Sequence, residues 1–100
     1  MIIQEKTKLD RTLDFVKIAV DIERGVIAAY CELHTDCAEE LVSNGSEWKH
    51  VWGANVYPED MSIAYLSMIN IRPKTGNPSM EIQDETVRGK IEAVVHKFLE

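Results

Sequence analysis

The chain has 100 residues, of which 45% are hydrophobic and 28% charged, and its formal net charge is -6. This composition predicts one folded domain over residues 1–100, with a core that needs neither a disulfide nor a metal ion. The negative charge argues against a nucleic-acid binder, because such binding depends on clustered Lys and Arg. No apolar run is long enough to span a bilayer and the start is too charged for a signal peptide, so we predict a cytoplasmic protein without membrane contact.

A short strand and a short helix are the first elements that the sequence predicts. Ile2 and Ile3 favour an opening strand, since β-branched residues are common in strands. Thr7 can cap a helix in which Leu9 and Leu13, four residues apart, share one face.

Two strands joined in a β-hairpin come next. Apolar residues alternate with polar ones from Val16 to Ile22, which is the pattern of a half-buried strand. Arg24-Gly25 interrupts this pattern and indicates a turn. If these two residues form the whole turn, Ile22 lies opposite Ile27 and the apolar residues of both strands share one face.

The length of this turn decides which side chains share a face. The two-residue turn also sets Lys17 opposite Glu32, a favourable cross-strand charge pair. A three-residue turn with Gly25 in the left-handed conformation is the alternative. It would instead place Val26 and Ala28 on the face of the first strand's isoleucines.

A second helix and a fourth strand follow the hairpin. Asp36 and Glu39 form a variant of the capping box, so we predict a helix that begins at Asp36 and stops at Asn44-Gly45. Residues His50 to Tyr57 are predicted to form the strand.

The last third of the chain contains a fifth strand and the clearest helix. Residues Ser62 to Arg72 are largely apolar on both faces, which is typical of a strand in the middle of a sheet. Asp84 can cap a final helix whose apolar residues follow helical spacing. Those residues are Val87, Ile91, Val94, Val95, Phe98 and Leu99.

Together these elements predict an α+β fold in a single two-layer domain, with a mostly antiparallel twisted sheet of about five strands and three helices. The order is strand-helix-strand-strand-helix-strand-strand-helix. We expect the helices to cover one face of the sheet and the other face to expose an apolar patch, which predicts a homo-oligomer, most simply a homodimer. The patch residues are Trp52, Tyr57, Ala64, Leu66 and Met68.

A cluster of acids around an imidazole is the first candidate site. Glu32, His34 and Asp36 recur at every second residue, so an extended backbone would point all three the same way. Asp21 and Glu23 lie on the neighbouring strand. The group could bind a metal ion, or Glu32 and His34 could act as a catalytic acid/base pair. Alternatively, Asp36 only caps its helix and Glu32 only forms the cross-strand pair described above.

The loop from Arg72 to Ser79 is the second candidate site. Arg72 offers a planar guanidinium for a carboxylate or phosphate, and Gly76 leaves the backbone approachable. Asn77 and Ser79 add hydrogen-bonding groups. No glycine-rich nucleotide motif is present, so we predict an anionic small molecule or a protein as partner, without a cofactor. Alternatively, Arg72 ties the loop down by pairing with Glu81 or a backbone carbonyl.

An indole and two amides form the third candidate site. Trp52 and Asn55 belong to one predicted strand, and Asn55 would face Asn70 if their strands pair. Alternatively, the Trp lies in the core and the amides satisfy neighbouring backbone. The complete set of residues that we predict to bind a ligand is Asn55, Asn70, Arg72, Gly76, Asn77 and Ser79, with Lys74 beside them.

The two cysteines belong to none of these sites. Cys31 and Cys37 are six positions apart and lack Cys-x-x-Cys spacing. In a cytoplasmic protein we expect two reduced thiols, although the sequence leaves a disulfide open.

Four motifs occur in order along the chain. They are Val20-Asp21-Ile22-Glu23, Glu32-Leu33-His34-x-Asp36, Trp52-Gly53-x-Asn55-x-Tyr57-Pro58 and Ser67-Met68-Ile69-Asn70-Ile71-Arg72-Pro73-x-x-Gly76-Asn77-x-Ser79. From Val16 to its end the chain resembles a family of short bacterial proteins of unknown function. The resemblance implies a shared fold and no catalytic residues, since the family has no assigned activity.

The sequence therefore predicts binding and names no reaction. Our main hypothesis is a small, acidic binding or protein-interaction module with a polar site at the Arg72–Ser79 loop. One alternative is a purely structural oligomer subunit. The other is a metal-assisted hydrolase that uses Asp21, Glu23, Glu32, His34 and Asp36.

Overall fold

The computed structural model describes residues 1–100 and contains five strands and two helices. The strands form one antiparallel sheet in the order β1-β3-β2-β4-β5, which confirms the predicted α+β class and the five-stranded antiparallel sheet. No helix is both long and apolar enough to cross a membrane. The elements are β1 (Ile2–Ile3), β2 (Val16–Asp21), β3 (Val26–Ala29), α1 (His34–Ser43), β4 (Val51–Tyr57), β5 (Ser62–Ala64) and α2 (Glu85–Phe98), with one-turn 3₁₀ helices at Trp48–His50, Met68–Asn70 and Pro73–Thr75.

The hairpin turn between β2 and β3 is longer than either predicted form. Asp21 pairs with Val26, so four residues make the connection. The Asp21 carboxylate accepts hydrogen bonds from the backbone N–H groups of Glu23 (2.9 Å) and Arg24 (3.0 Å), and Gly25 adopts a left-handed φ of 67°. A shift of two residues relative to the two-residue turn keeps the same side chains on each face, because side chains alternate with a period of two.

The helices cover both faces of the sheet, whereas we predicted that they would cover one. Ile18 and Val20 pack in the cluster that includes Ile91 of α2. Ala19, between them on the chain, packs in the other cluster with Leu41 of α1. The alternating pattern of the first hairpin strand predicts only one buried face, but Ala19 on its other face is fully buried as well. The domain therefore has three layers.

The predicted helix near the N-terminus is absent, so the chain has two helices and not three. The N–H of Thr7 donates to the carbonyl of Phe98 (2.8 Å), and the Thr7 carbonyl accepts from the N–H of Glu100 (3.0 Å). The N–H of Leu9 donates to the carbonyl of Glu100 (2.7 Å). Backbone groups that a local helix would have used are bonded to the chain's last residues instead.

The two observed helices agree with the sequence at most of their ends. The Asp84 carboxylate accepts hydrogen bonds from the N–H groups of Thr86 (2.8 Å) and Val87 (3.4 Å), as predicted for the start of α2. Helix α1 is capped at its end by Asn44, followed by Gly45 with φ 104°, also as predicted. It begins two residues earlier than we predicted, at His34.

A disulfide joins Cys31 to Cys37, contrary to the reduced thiols that we expected. Their Cα atoms are 5.7 Å apart. Cys31 is half-exposed and Cys37 is fully buried in the cluster under α1. The bond closes a short loop that leads into α1.

The predicted central strand from Ser62 to Arg72 was wrong. Only Ser62–Ala64 forms a strand, and it lies at the edge of the sheet. Beyond it, the Ser67 hydroxyl accepts a hydrogen bond from the N–H of Ile69 (3.3 Å) and the chain makes a 3₁₀ turn. We call residues 67–72 the edge segment, because they run along the part of β4 that β5 leaves unpaired.

Two side chains of the edge segment take the place of a neighbouring strand. The fully buried Asn70 side chain accepts from the N–H of Gly53 (2.8 Å) and donates to its carbonyl (2.9 Å). Arg72 donates to the carbonyls of Lys49 (3.0 Å) and Val51. A Cβ atom on Gly53 would lie 2.6 Å from the Cβ of Ser67, so only glycine lets the segment approach this closely.

Candidate functional site

The loop from Arg72 to Ser79 is closed on itself. Arg72 and Asn77 exchange two backbone hydrogen bonds, of 2.6 and 3.0 Å. Residues Pro73–Thr75 form a 3₁₀ turn between them, and Gly76 ends it with a left-handed φ of 90°. This geometry leaves Gly76 exposed at the tip of a compact loop.

Most polar side chains that we predicted to bind a ligand are used within this loop. The Asn77 amide donates to the carbonyls of Asn70 (2.9 Å), Ser79 (3.0 Å) and Glu81 (3.1 Å), and its oxygen accepts from the N–H of Gln83 (3.0 Å). The Ser79 hydroxyl donates to the carbonyl of Glu81 (3.0 Å). Asn70 holds Gly53, as described above. These side chains form the framework of the loop.

The side chain of Arg72 differs from its neighbours because it makes its hydrogen bonds outside the loop and stays partly exposed to solvent. Its guanidinium lies over the ring of Trp52, 4.1 Å from the ring centre, in the geometry of a cation–π contact. It forms no ion pair, and Glu81 pairs instead with Arg88 (2.7 Å). Burial lowers the pKa of Arg72, yet a guanidinium stays charged at neutral pH. A half-buried positive charge therefore has carbonyl acceptors and no acid.

Beside this guanidinium is a cavity of about 470 Å³, which we call the Arg72 cavity. Three of its lining residues are cationic and none is acidic. The Nε1 atom of Trp52 is buried without a hydrogen-bond partner. The lining residues are Lys49, Trp52, Arg72, Pro73, Lys74 and Thr75.

The acidic residues of the first candidate do not converge with His34. The carbonyl of Glu32 accepts from the Lys17 ammonium (2.7 Å), and the Asp36 carboxylate accepts from the N–H of Leu33 (3.3 Å) at the start of α1. Asp21 lies four residues along β2 from Lys17, or about 13 Å in an extended strand. No three His, Cys, Asp or Glu side chains lie close enough to hold a metal ion.

The imidazole of His34 turns toward the sheet. Its Nε2 atom is 2.9 Å from the carbonyl oxygen of Ala54 and 2.9 Å from the side-chain oxygen of Asn55. Both partners are acceptors, so Nε2 carries the proton and Nδ1 keeps a free lone pair. Burial lowers the pKa of His34 below its ordinary value of 6.5, and nearby Lys17 lowers it further. His34 is therefore neutral at neutral pH.

His34 also lines the largest cavity described for the molecule, a groove of about 600 Å³ that we call the His34 groove. It brings together His34 of the first candidate site and Asn55 of the third, which the sequence did not connect. Sequence reasoning assigned no site to Lys17 or Met80, and it treated Leu66 and Met68 only as part of an apolar patch. The groove is lined by Lys17, Leu33, His34, Thr35, Asn55, Leu66, Ser67, Met68, Ile69 and Met80.

The chain matches a known protein family over almost its whole length. The model of the family described as "Protein of unknown function (DUF5674)" matches residues 2–98. The chain belongs to this family. No curated protein and no solved structure matches the chain. The sequence resemblance to a family of unknown function is thereby confirmed.

In this DUF5674 chain, two regions therefore combine exposed polar groups with a cavity. Arg72 lies in one, and His34 and Asn55 lie in the other. Asn70, Asn77 and Ser79 line neither cavity and form internal hydrogen bonds. The edge segment forms one wall of the His34 groove and ends at Arg72 of the other cavity.

Proposed function

We propose that the protein is a small binding module that recognises an anionic group at the Arg72 cavity. The observation that carries this proposal is the half-buried guanidinium of Arg72, which has no acidic partner. The site keeps the location that the sequence predicted. It uses Arg72, Lys49 and Lys74, whereas Asn70, Asn77 and Ser79 act as framework.

Electrostatics favours an anion at this position. Moving a cation out of water is unfavourable unless an opposite charge or several hydrogen bonds compensate. Carbonyl oxygens occupy only part of the guanidinium, so N–H groups remain for a carboxylate or phosphate, and such charge-assisted hydrogen bonds are strong. The chain has 17 acidic and 11 basic residues, so a cavity lined by three cations and no acid departs from the rest of its composition.

The ligand is expected to be a small phosphate or carboxylate compound, or an acidic group on a protein. Trp52 covers one face of the guanidinium, and the carbonyls of Lys49 and Val51 each accept from one of its terminal nitrogens, so three of its five N–H groups remain for a ligand. Lys49 and Lys74 are exposed at the same cavity and add positive charge, which for Lys49 is partly offset by an exposed ion pair with Glu47 (3.5 Å).

Titration with inorganic phosphate tests the proposal. Backbone amide shifts would be followed by NMR at constant ionic strength, with chloride as the balancing anion. We expect saturable shifts at Arg72, Lys74 and Thr75. Arg72→Ala is a poor test on its own, because it also removes the bonds to the edge of β4 and lowers the melting temperature.

A lysine pair separates binding from folding. Lys49→Gln with Lys74→Gln should weaken phosphate binding and leave the melting temperature nearly unchanged, since both side chains are exposed and the Lys49–Glu47 pair lies in solvent. Lys8→Gln with Lys90→Gln changes the net charge equally at exposed positions elsewhere and should keep the shifts. Linear shifts without saturation, or equal loss in both pairs, would support a purely structural role for Arg72.

The other functions considered from the sequence have less support. The metal-assisted hydrolase needs five side chains that do not converge. A homodimer stays a prediction, and the apolar residues that suggested it divide between the core and the surface. Trp52 is buried, whereas Tyr57, Leu66 and Met68 are exposed.

A further inference from the structure

We propose that the His34 groove binds the C-terminal end of a polypeptide whose last residues are apolar. This inference is independent of the Arg72 cavity and concerns a different ligand. It rests on three features of the groove that match three features of a chain end, namely a carboxylate, a backbone N–H and an apolar side chain.

The groove lies between α1 and the edge segment, over one face of the sheet. Lys17 of β2 and Asn55 of β4 are directly paired in the sheet and form its floor. His34 and Thr35 at the start of α1 form one wall. Residues 66–69 and Met80 form the other. Three separate parts of the fold therefore hold its polar groups in fixed positions.

The first feature is positive potential. None of the ten lining residues is acidic, although the Asp36 carboxylate accepts from the N–H of Leu33 at the start of α1. The Lys17 ammonium donates one hydrogen bond to the carbonyl of Glu32 (2.7 Å), keeps its other N–H groups, and is close enough to lower the pKa of His34. The backbone N–H groups of His34 and Thr35, at the positive end of α1, donate to no acceptor in the chain. A carboxylate complements this end of the groove.

The second feature is an acceptor that lacks a donor. With Nε2 bonded to Ala54 and Asn55, the Nδ1 atom of neutral His34 makes no hydrogen bond within the protein. A ligand that displaces water from Nδ1 must offer an N–H or O–H group in its place. The last amide N–H of a peptide lies next to its terminal carboxylate, whereas a fatty acid has a carboxylate and no such donor.

The third feature is an apolar rim made of flexible side chains. Leu33 is 57% exposed and Met68 is 73% exposed, the two largest exposed fractions among the large apolar side chains of the protein. Leu66 and Met80 are also exposed beside them. Methionine adapts its shape to different apolar partners, as in peptide-binding surfaces of broad specificity. The rim can therefore cover the last apolar side chains of a peptide, and the volume of about 600 Å³ suits a few residues.

Three probes test the assignment by NMR titration. The first is acetyl-Ala-Val-Leu with a free carboxylate, the second is the same peptide as its C-terminal amide, and the third is octanoate. We expect the peptide acid to shift the amides of Lys17, His34, Asn55 and Met68. The amide and octanoate should each bind at least about tenfold more weakly, because each lacks one of the required groups.

Variants locate the two polar contacts. Lys17→Met keeps the aliphatic stem and should weaken the peptide acid about tenfold while leaving the weak binding of the amide unchanged. His34→Leu, which offers no hydrogen-bond acceptor, should bring the affinities of the peptide acid and octanoate together. Lys90→Met, an exposed lysine on α2, is the matched control and should bind like the original chain.

Several results would overturn the proposal. Equal affinity for the acid and the amide excludes carboxylate recognition, and equal affinity for octanoate excludes the amide contact. Shifts confined to Arg72–Thr75 place the peptide in the other cavity. A dimer that buries Met68 and is not displaced by the peptide makes the groove an interface between two copies. Phosphate shifts at the Arg72 cavity should persist in Lys17→Met, so failure here leaves that proposal intact.

Discussion

The two faces of the sheet bury different kinds of side chain. The face under α2 buries large branched residues, such as Ile18, Val20 and Ile91, in a cluster of 15 residues. The face under α1 has a cluster of six buried residues, four of which are alanine or cysteine. Apolar burial alone therefore stabilises the α1 side much less than the α2 side.

Covalent and polar contacts supplement the small cluster on the α1 side. The disulfide fixes the entry into α1, His34 bonds to β4, and Asn70 replaces a strand next to Gly53. A disulfide and hydrogen bonds hold the elements together at a few points, and they do not fill the space between those points as apolar side chains do. This difference explains why the largest cavity lies on that side of the sheet.

Replacing Asn70 should give the largest effect on this comparison. Asn70→Leu adds an apolar side chain of similar size, but it leaves the buried N–H and carbonyl of Gly53 without partners. Each unsatisfied group costs about 1–3 kcal/mol, so we expect the free energy of unfolding to fall by about 4 kcal/mol. Chemical denaturation would measure it.

A substitution on the other face is the matched control. Ile91→Val removes one methylene from the α2 cluster and should cost about 1 kcal/mol. If Asn70→Leu left the free energy of unfolding unchanged while Ile91→Val lowered it as expected, apolar burial would be the main source of stability on both faces. The proposed difference between the two faces would then be wrong.

Breaking the disulfide should have an intermediate effect that is specific to the α1 side. Cys31→Ser changes the half-exposed partner and leaves the buried Cys37 in place. A bond across so short a loop is worth about 2 kcal/mol in the chain-entropy estimate, so stability should fall by about that amount. Calorimetry with and without a reductant measures the change. A reductant should lower the melting temperature of the original chain and not that of Cys31→Ser.

The smallest effect is a dependence of stability on pH through His34. Its pKa is below 6.5 in the folded protein because it is buried, so the unfolded chain takes up this proton first as the pH falls. The contribution of neutral His34 is fully present above pH 6.5 and is lost as the pH falls through the lowered pKa of the folded state. Most carboxylates titrate below this window, near pH 4.

Two histidine variants isolate this dependence. His34→Gln should flatten the change in the free energy of unfolding just below pH 6.5. His96→Gln, at an exposed position of α2, should keep it. An identical slope in all three proteins would mean that burial of His34 does not affect its protonation.

Features with local causes were predictable from the sequence. Helix α2, its Asp84 cap and the end of α1 at Asn44-Gly45 follow from side-chain spacing and from the capping chemistry of a few adjacent residues. The strands β1 to β4 were also predicted, with small errors at their ends. The sequence motifs resemble a family of unknown function, and the family that matches the chain also has no known function.

Features with distant partners were not predictable. Residues 62–72 have the composition of a buried strand. However, the Asn70 side chain bonds to Gly53, which is distant in sequence, and residues 68–70 form a 3₁₀ turn beside β4 instead of continuing the strand. Asn77 gave the same difficulty, since an amide that binds a ligand and an amide that holds a loop look identical in a sequence. A binding site at Arg72 stays a prediction, and no pattern in the sequence indicated that Lys17, His34 and Asn55 line one groove.

By itself the sequence determined the class of the fold, five antiparallel strands and the helix that closes the chain, because periodic apolar burial and capping act over a few residues. Only the tertiary structure decided that helices cover both faces, that Asn70 replaces a strand, and that Lys17, His34 and Asn55 line one groove. Those outcomes depend on which distant backbone groups find hydrogen-bond partners, and no local pattern specifies them.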